Sequence, residues 1–585
     1  MLKTKSKTLS TLIWVGILSL LFLRPFISEE AYPGLNTYFC LILIALSLAF
    51  LIFSYDRPLH KIPFNYPILL LLIASGISTY FSLNLHSTVG ELYKLTSYIL
   101  ILYLIMQVTK KQARSITMVV IVAGAMIALR GIYQWSFGLG WTMEYLEQLR
   151  WDLPSYLYAK RIILSKRAFS TFLSPDMLAG YLAMVIPLAG GLLIDKPRVR
   201  RTTVFALIAL SIIFICLVLT KSLGGWLSLL AASMIFFILL FKEGSTIDRK
   251  RVVKVATIVL AAIVLVTLSI IITQRDRFID PNDPENSIIQ RLYYWKGALN
   301  IIKEFPTTGI GWGNYGSAYT KFMPAGAKEV RNAHNSYLQI WAETGIMGLM
   351  AMTWLIFIFF REGFKGLKVP GQKGLKIGIL AAGSAFLIHN LIDYDYYISQ
   401  ISFHWWAILG LTIAMKGSYT PVNKEKSRIN PSQVIIKSII IIFLVAAATL
   451  MVKSHLATVH FENGLYLLKN NKDNEATTEL RKAQALDSGY DLYHLILAKI
   501  YEKKVEEDNL FPGDPLFDKV VREYRRAIGL NSYCPFHYRD LGLFFLRHNM
   551  PSEAIDELKK AITFYPTNPD LRRYLEMAYR KINKR

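Results

Sequence analysis

The chain is 585 residues long, 53% hydrophobic and 18% charged, with a mean hydropathy of +0.35. That balance excludes an ordinary soluble protein of this length, in which about a quarter of the residues would be charged. The net charge of +25 does not point to nucleic acid, because most Lys and Arg sit between apolar runs, where basic residues set membrane topology.

Apolar runs of about 18 to 25 residues, each long enough to cross a bilayer as a helix, repeat along the chain. About thirteen spans are expected, at 9–27, 37–54, 66–83, 92–108, 116–137, 177–194, 203–219, 224–241, 253–273, 336–360, 375–391, 399–415 and 434–452. The basic start, MLKTKSKTLS, leads into the first run without a small-residue cleavage site and reads as a first membrane anchor. Links rich in Lys and Arg alternate with links that have none, such as 28–36, 84–91 and 392–398. The positive-inside bias then puts the N-terminus in the cytoplasm, and an odd number of spans puts the C-terminus outside. Two long links fall on the outer side, 138–175 and 274–335, and links of that length are more often functional than idle. A linker with Pro421 and Pro431 occupies 416–432. Cys40, Cys216 and Cys534 lie far apart, so no disulfide framework or thiolate metal site is implied.

After Val452 the composition turns soluble and a repeat emerges. Gly464, Ala498, Gly542 and Glu576 fall on one position, spaced by 34, 44 and 34 residues, with the stretch 508–517 as an insertion in the long step. A period of 34 residues with small and aromatic positions, clearest over 535–568, resembles the tetratricopeptide repeat. The plainer alternative is a tail of helical hairpins. The expected fold is all-α: a polytopic membrane helical bundle over 1–455 and a tetratricopeptide-like α-solenoid over 456–585 outside the cytoplasm.

The centre of the chain carries its chemistry. Gly309, Gly311, Gly313 and Gly316 space a polar loop that runs through Arg331 to His334 and Asn335 and into a long apolar helix. A histidine is thereby delivered to the mouth of a membrane helix. Imidazole changes charge near neutral pH, which suits it to general base work. Arg167, Arg291 and Lys221 lie on or beside outer links, and guanidinium groups grip phosphate oxygens in pairs. Each has a bland counterpart: the histidine as helix cap or interface anchor, Arg167 as a residue snorkelling to headgroups, and Arg291 as a surface residue. Glu343, about 900° of helix from His334, faces away from it and is expected to pair with another helix, as the nearby Gly345 and Gly348 suggest. Asp393 and Asp395 form a D-x-D beside His389 and Asn390. Against a divalent-cation site, the simpler reading is a solvated link with interfacial tyrosines. No nucleotide fingerprint stands out.

The motif GIGWGNY at 309–315, followed by HNSYLQIWAETGIMGL at 334–349, resembles the O-antigen ligase/polymerase family of bacterial membrane glycosyltransferases. So do RAFSTFLSPDMLA at 167–179, SLGGW at 222–226 and QRLYYW at 290–295, in that order. The resemblance covers about 167–411 and departs at Asp176, where the family shows Asn, and at Leu223, where it often shows Arg. It implies a GT-C-like, metal-independent transferase without a cofactor, multi-pass in the bacterial cytoplasmic membrane. This transferase would pass a glycan from a polyprenyl-diphosphate carrier to an acceptor hydroxyl on the outer face. His334 is then the catalytic base. Arg167 and Arg291, with Lys221 in place of the missing arginine, bind the diphosphate, and Asn335, Gly311 and Gly313 support them. The acceptor is a lipid, a glycan or a protein, so a polymerase of lipid-linked repeat units and an O-linked protein glycan transferase remain open, and the repeats offer a surface for a protein partner. More distant alternatives are a polysaccharide transporter and a non-catalytic scaffold.

Overall fold

The computed structural model describes residues 2–29, 33–53, 62–148, 160–195, 200–243, 249–279, 286–417 and 431–583. The expected 416–432 linker and the middle of the 138–175 link lie almost wholly outside the described residues.

The described chain is helical. Among these residues, nine helices are long and apolar enough to cross a membrane. Two shorter apolar helices, Ser10–Phe26 and Asn65–Tyr80, and two deeply buried ones, Lys373–His389 and Ser399–Lys416, occupy the other four expected positions. The last two are the centre of the bundle: every residue of Ser399–Lys416 except Lys416 is buried. Helix Lys373–His389 packs on helix Pro175–Ile194 at backbone distance. A Cβ on Gly191 would lie 2.6 Å from the Gly374 carbonyl, and one on Gly378 would lie 2.7 Å from that of Pro187. Small residues permit this approach, which in lipid replaces the hydrophobic drive that water would supply.

Two expected spans have different bounds. The fifth does not stop at residue 137; a π-helical segment, Gln134–Gly138, carries it into helix Leu139–Gln148. The helix Ser336–Leu367 is broken at Gly345, whose φ of 68° and ψ of −175° are not helical. The freed backbone groups are taken up by the segment 306–311. Ile310 N donates to Ala342 O (3.1 Å), Gly311 N to Glu343 O (3.0 Å), and Ile346 N to Pro306 O (3.0 Å). A break at this depth is tolerated because protein backbone re-satisfies it. The Gly345/Gly348 pair is therefore not a helix-packing stripe, contrary to the sequence reading.

Helix Pro431–Lys469 runs without interruption from the last apolar run into the soluble tail, so the expected boundary at 455/456 falls inside it. The tail continues as Asp473–Leu486, Asp491–Glu507, Pro515–Leu530, Pro535–Arg547, Pro551–Phe564 and Pro569–Asn583. Gly464 lies against Leu480 and Gly542 against Leu558, the same offset in two helix pairs. The tail leans on the membrane body. His86 Nδ1 is 2.9 Å from Asp487 Oδ2 and its ring stacks on Tyr490, while Tyr565 donates to Glu329 Oε1 at 2.5 Å.

Candidate functional site

His334 lies just before Asn335, the cap of helix Ser336–Leu367, and adopts φ 48°, a left-handed conformation worth about 1 kcal/mol or more of strain. Asn335 caps the helix: its Oδ1 accepts from Tyr337 N (3.1 Å) and Leu338 N (3.0 Å), and its Nδ2 donates to Leu391 O (2.9 Å). Gln339, one turn in, reaches back. Its Oε1 accepts from Ala333 N (2.9 Å) and its Nε2 donates to Asn332 Oδ1 (3.0 Å). Trp295 Nε1 holds the His334 carbonyl at 3.1 Å. The backbone around His334 is thus fixed on both sides.

The imidazole lies between two tyrosines, stacked on Tyr294 (centroids 5.5 Å apart) and edge-on to Tyr394 (4.7 Å). Its Nδ1 is 3.1 Å from Asp393 Oδ1. The carboxylate is 3% exposed and the imidazole 24%. A carboxylate only accepts, so Nδ1 carries the proton and Nε2 is left able to take one. Burial works against the Asp393 charge, but the His334 hydrogen bond and the charges of His334, His389 and Arg291 outweigh it and hold the carboxyl below its usual range.

Arg291 meets the same carboxylate from the other side. Its Nε donates to Ile392 O (2.9 Å) and its Nη2 lies 3.9 Å from Asp393 Oδ2. The link 389–397 therefore joins the histidine to the arginine. The reading of this link as solvated is wrong: Asp393 and Asp395 are buried, as are Tyr396 and Tyr397. Asp395 pairs with the fully buried His389 (2.7 Å). Burial raises the Asp395 carboxyl to about 6 against the pull of that imidazole. The two carboxylates of the D-x-D thus serve two different histidines. Among the described residues no group of three or more His, Cys, Asp or Glu side chains could hold a metal ion.

Arg167 completes a second cluster. Its Nε donates to Thr220 O (2.8 Å) and its Nη2 to Asp176 Oδ1 (2.9 Å). Arg277 approaches the other oxygen of Asp176 at 3.4 Å. The two clusters are electrostatically continuous, since Arg291 also acts on Asp176, and Asp176 and Asp393 both act on His389. Arg167, Arg291 and His334, distant in sequence, are thereby brought into one charged network. Lys221 stays at its rim, with Nζ donating to Ser165 O at 3.1 Å. Partial burial and the repulsion of Arg167 and Lys166 lower its ammonium below the usual range.

Gly311 and Gly313 do not reach His334. They turn the loop at φ 90° and 77°, where a side chain on Gly311 would collide with Ser82 and one on Gly313 with Glu91. Nor does Glu343 pair with another membrane helix as expected. Its Oε1 accepts from Tyr315 N (3.0 Å) and Gln339 Nε2 (3.2 Å), and its Oε2 from the Tyr397 hydroxyl (2.8 Å). It ties the glycine loop to the 389–397 link behind the histidine. Sequence reasoning missed Asp393 as a partner of His334, and it missed Arg277 and the His389–Asp395 pair. The signal for Asp393 was the D-x-D itself; Arg277 gave none.

With this geometry in view, residues 179–353 match the family model described as O-antigen ligase. The matched segment includes Arg277, Arg291 and His334 and leaves Arg167, Asp176 and Asp393 outside it. An uncharacterized protein of Haemophilus influenzae is 24% identical over 234 residues, 35% of this chain and 57% of that protein. A Rickettsia conorii protein named "Putative polysaccharide ligase" is 28% identical over 173 residues, 26% of this chain and 39% of that protein. The chain thus spans between two fifths and three fifths of the length of these relatives. This polytopic helical membrane protein is thus similar, over residues 179–353, to the O-antigen ligase family.

Proposed function

We propose that this protein transfers a glycan from a polyprenyl-diphosphate carrier to an acceptor hydroxyl on the outer face of the bacterial cytoplasmic membrane, without a metal ion. The observation that carries this reading is the sharing of Asp393 between His334 and Arg291, with Arg167 in the same charged network. A transfer of this kind needs a base at the attacking oxygen and cations where the leaving diphosphate gathers charge. His334 Nε2 takes the proton of the acceptor hydroxyl as its oxygen bonds to the anomeric carbon. Asp393 stabilises the imidazolium that results. The bond from that carbon to the phosphate oxygen breaks, and the diphosphate departs with its charge on Arg167 and Arg291. Lys221 guides the anion from the rim. Asn335, Gly311 and Gly313 keep the backbone in place.

Residues 456–585 are read as tetratricopeptide-like repeats on that same outer face. Their contacts with His86, in the first turn of helix Leu85–Met106, and with Glu329, in the loop that leads to His334, support this placement. The test is the His334→Ala variant, reconstituted with a polyprenyl-diphosphate-linked glycan and an acceptor. Glycan transfer is expected to be lost while the protein still inserts and folds. Wild-type transfer by that variant would remove the base from the mechanism.

A further inference from the structure

Asp176 and Arg277 belong to the charged network, and the mechanism leaves both without a task. Asp176 lies in the first turn of helix Pro175–Ile194, and its side chain is 16% exposed. One oxygen meets Arg167 at 2.9 Å and the other meets Arg277 at 3.4 Å. The two guanidinium groups come from segments a hundred residues apart. A single anion bridging them is the pattern by which arginines hold a phosphate group.

Neither arginine depends on Asp176 for its position. Arg167 is anchored through Nε to the Thr220 carbonyl at 2.8 Å. Arg277 donates from Nη1 to Gln274 Oε1 at 3.0 Å and lies over the Phe278 ring, 5.0 Å from its centroid. Besides the two arginines, the Asp176 carboxylate is held by a hydrogen bond from the Ser222 side chain, a single neutral contact that a swing would give up. The helix start is capped by the Ser174 hydroxyl, which accepts from the backbone N of residue 176 at 3.1 Å, so a swing of the carboxylate leaves the cap intact. Without an anion here, Arg167, Arg277 and Arg291 would repel one another at close range in a poorly hydrated site. Arg277 records that stress: burial and the charges of Arg167 and Arg291 bring it down to about 10 in spite of Asp176.

We propose that Asp176 is a resident counter-anion, holding Arg167 and Arg277 until the diphosphate of the donor displaces it, and that Arg277 is a further cation for that diphosphate. This rests on the donor reading given above. A diphosphate carries more charge than a carboxylate and more oxygens for the two guanidinium forks, so it wins the exchange. The competition weakens donor binding, and after transfer Asp176 competes with the departing diphosphate for the same groups.

The test uses the full chain in lipid nanodiscs, with inorganic pyrophosphate as the probe and calorimetry as the readout. Asp176→Asn is expected to bind pyrophosphate at least tenfold more tightly than wild type, and Arg277→Gln in that background is expected to abolish the gain. Asp570→Asn, which removes an exposed carboxylate of the tail that pairs with Arg573 away from this network, should change affinity less than threefold. Asp176→Ser is a second variant in case the amide disturbs folding. Unchanged or weaker binding by folded Asp176→Asn, together with a loss in Arg167→Gln, overturns the resident anion and leaves the diphosphate site standing. Absence of pyrophosphate binding in wild type and in every variant overturns both. Failure of both Asp176 variants to fold makes the residue structural and also overturns the proposal.

Discussion

Replacing Asp393 by asparagine tests the candidate site at its joint. The carboxylate accepts from His334 Nδ1 at 3.1 Å and from Tyr394 N at 3.0 Å, and its other oxygen faces Arg291. An amide cannot satisfy all three. If its oxygen stays with His334, its NH2 group faces a guanidinium; if it flips, it donates to Nδ1 and moves the imidazole proton to Nε2, the atom that has to accept. Either arrangement also removes the negative charge that stabilises the imidazolium. General base catalysis is worth about 10²- to 10⁴-fold, so the rate of transfer should fall by that factor, or about 3 to 5 kcal/mol in the barrier. The assay is turnover of a polyprenyl-diphosphate-linked glycan in proteoliposomes, normalised to folded protein. Because the Asp393 carboxyl is held below its usual range, its support is present at neutral pH and is lost only as pH falls below the ordinary carboxylate range. An Asp393→Asn variant within threefold of wild type would refute the dyad.

Gly345→Ala places a Cβ 2.0 Å from the Thr307 carbonyl at a backbone with φ 68°, so little folded protein should be recovered from membranes, read as the yield of monodisperse protein. In the tail, burial disfavours the charged form of His537, but its hydrogen bond to Asp491 (2.7 Å) outweighs this and raises it from 6.5 to about 9. The pair therefore stabilises fully below pH 6.5 and is lost as pH rises through 9, a change on the order of 3 kcal/mol. Hydrogen exchange of the tail helices should show this loss, and His537→Gln should flatten it. Cysteine at Gly326 or Asp514 should react with a membrane-impermeant reagent added from the outer side; protection of both would invert the orientation.

The helices were legible because apolar runs of membrane length admit few other structures. His334, Arg167 and Arg291 could be singled out because their residue types and flanking motifs are local. What was not legible depends on distant contacts. Helical periodicity put Glu343 on the face away from His334, but it could not reveal that the helix breaks at Gly345, since the break is held by backbone groups of 306–311. Asp393 and Asp395 lie in a short polar link and read as solvated. The His389–Asp395 pair is buried where Gly180 and Gly224, on two other helices, leave room for it: a Cβ on Gly180 would touch Asp395 Oδ2 and one on Gly224 would crowd His389. Arg277 sits in a four-residue helix that no periodicity announces.

The tail and the histidine share a loop, and the bonds along it separate two roles. Tyr565 holds Glu329, and Lys321 lies 5.1 Å from the centre of the Tyr533 ring. These contacts order the loop from the tail side. Between Glu329 and His334, however, Asn332 and Ala333 are fastened to Gln339, which is 1% exposed and belongs to the membrane helix. A movement of the tail should therefore be absorbed before it reaches the imidazole. Gln339→Leu leaves a buried N–H of Ala333 without its acceptor, which costs about 1 to 3 kcal/mol, and frees the backbone that sets the φ of His334. Its turnover should fall more than tenfold, whereas Tyr565→Phe should speed proteolysis of the 321–331 loop and change turnover less than threefold. Equal losses of turnover in both variants would mean that the tail, and not Gln339, sets the position of the base.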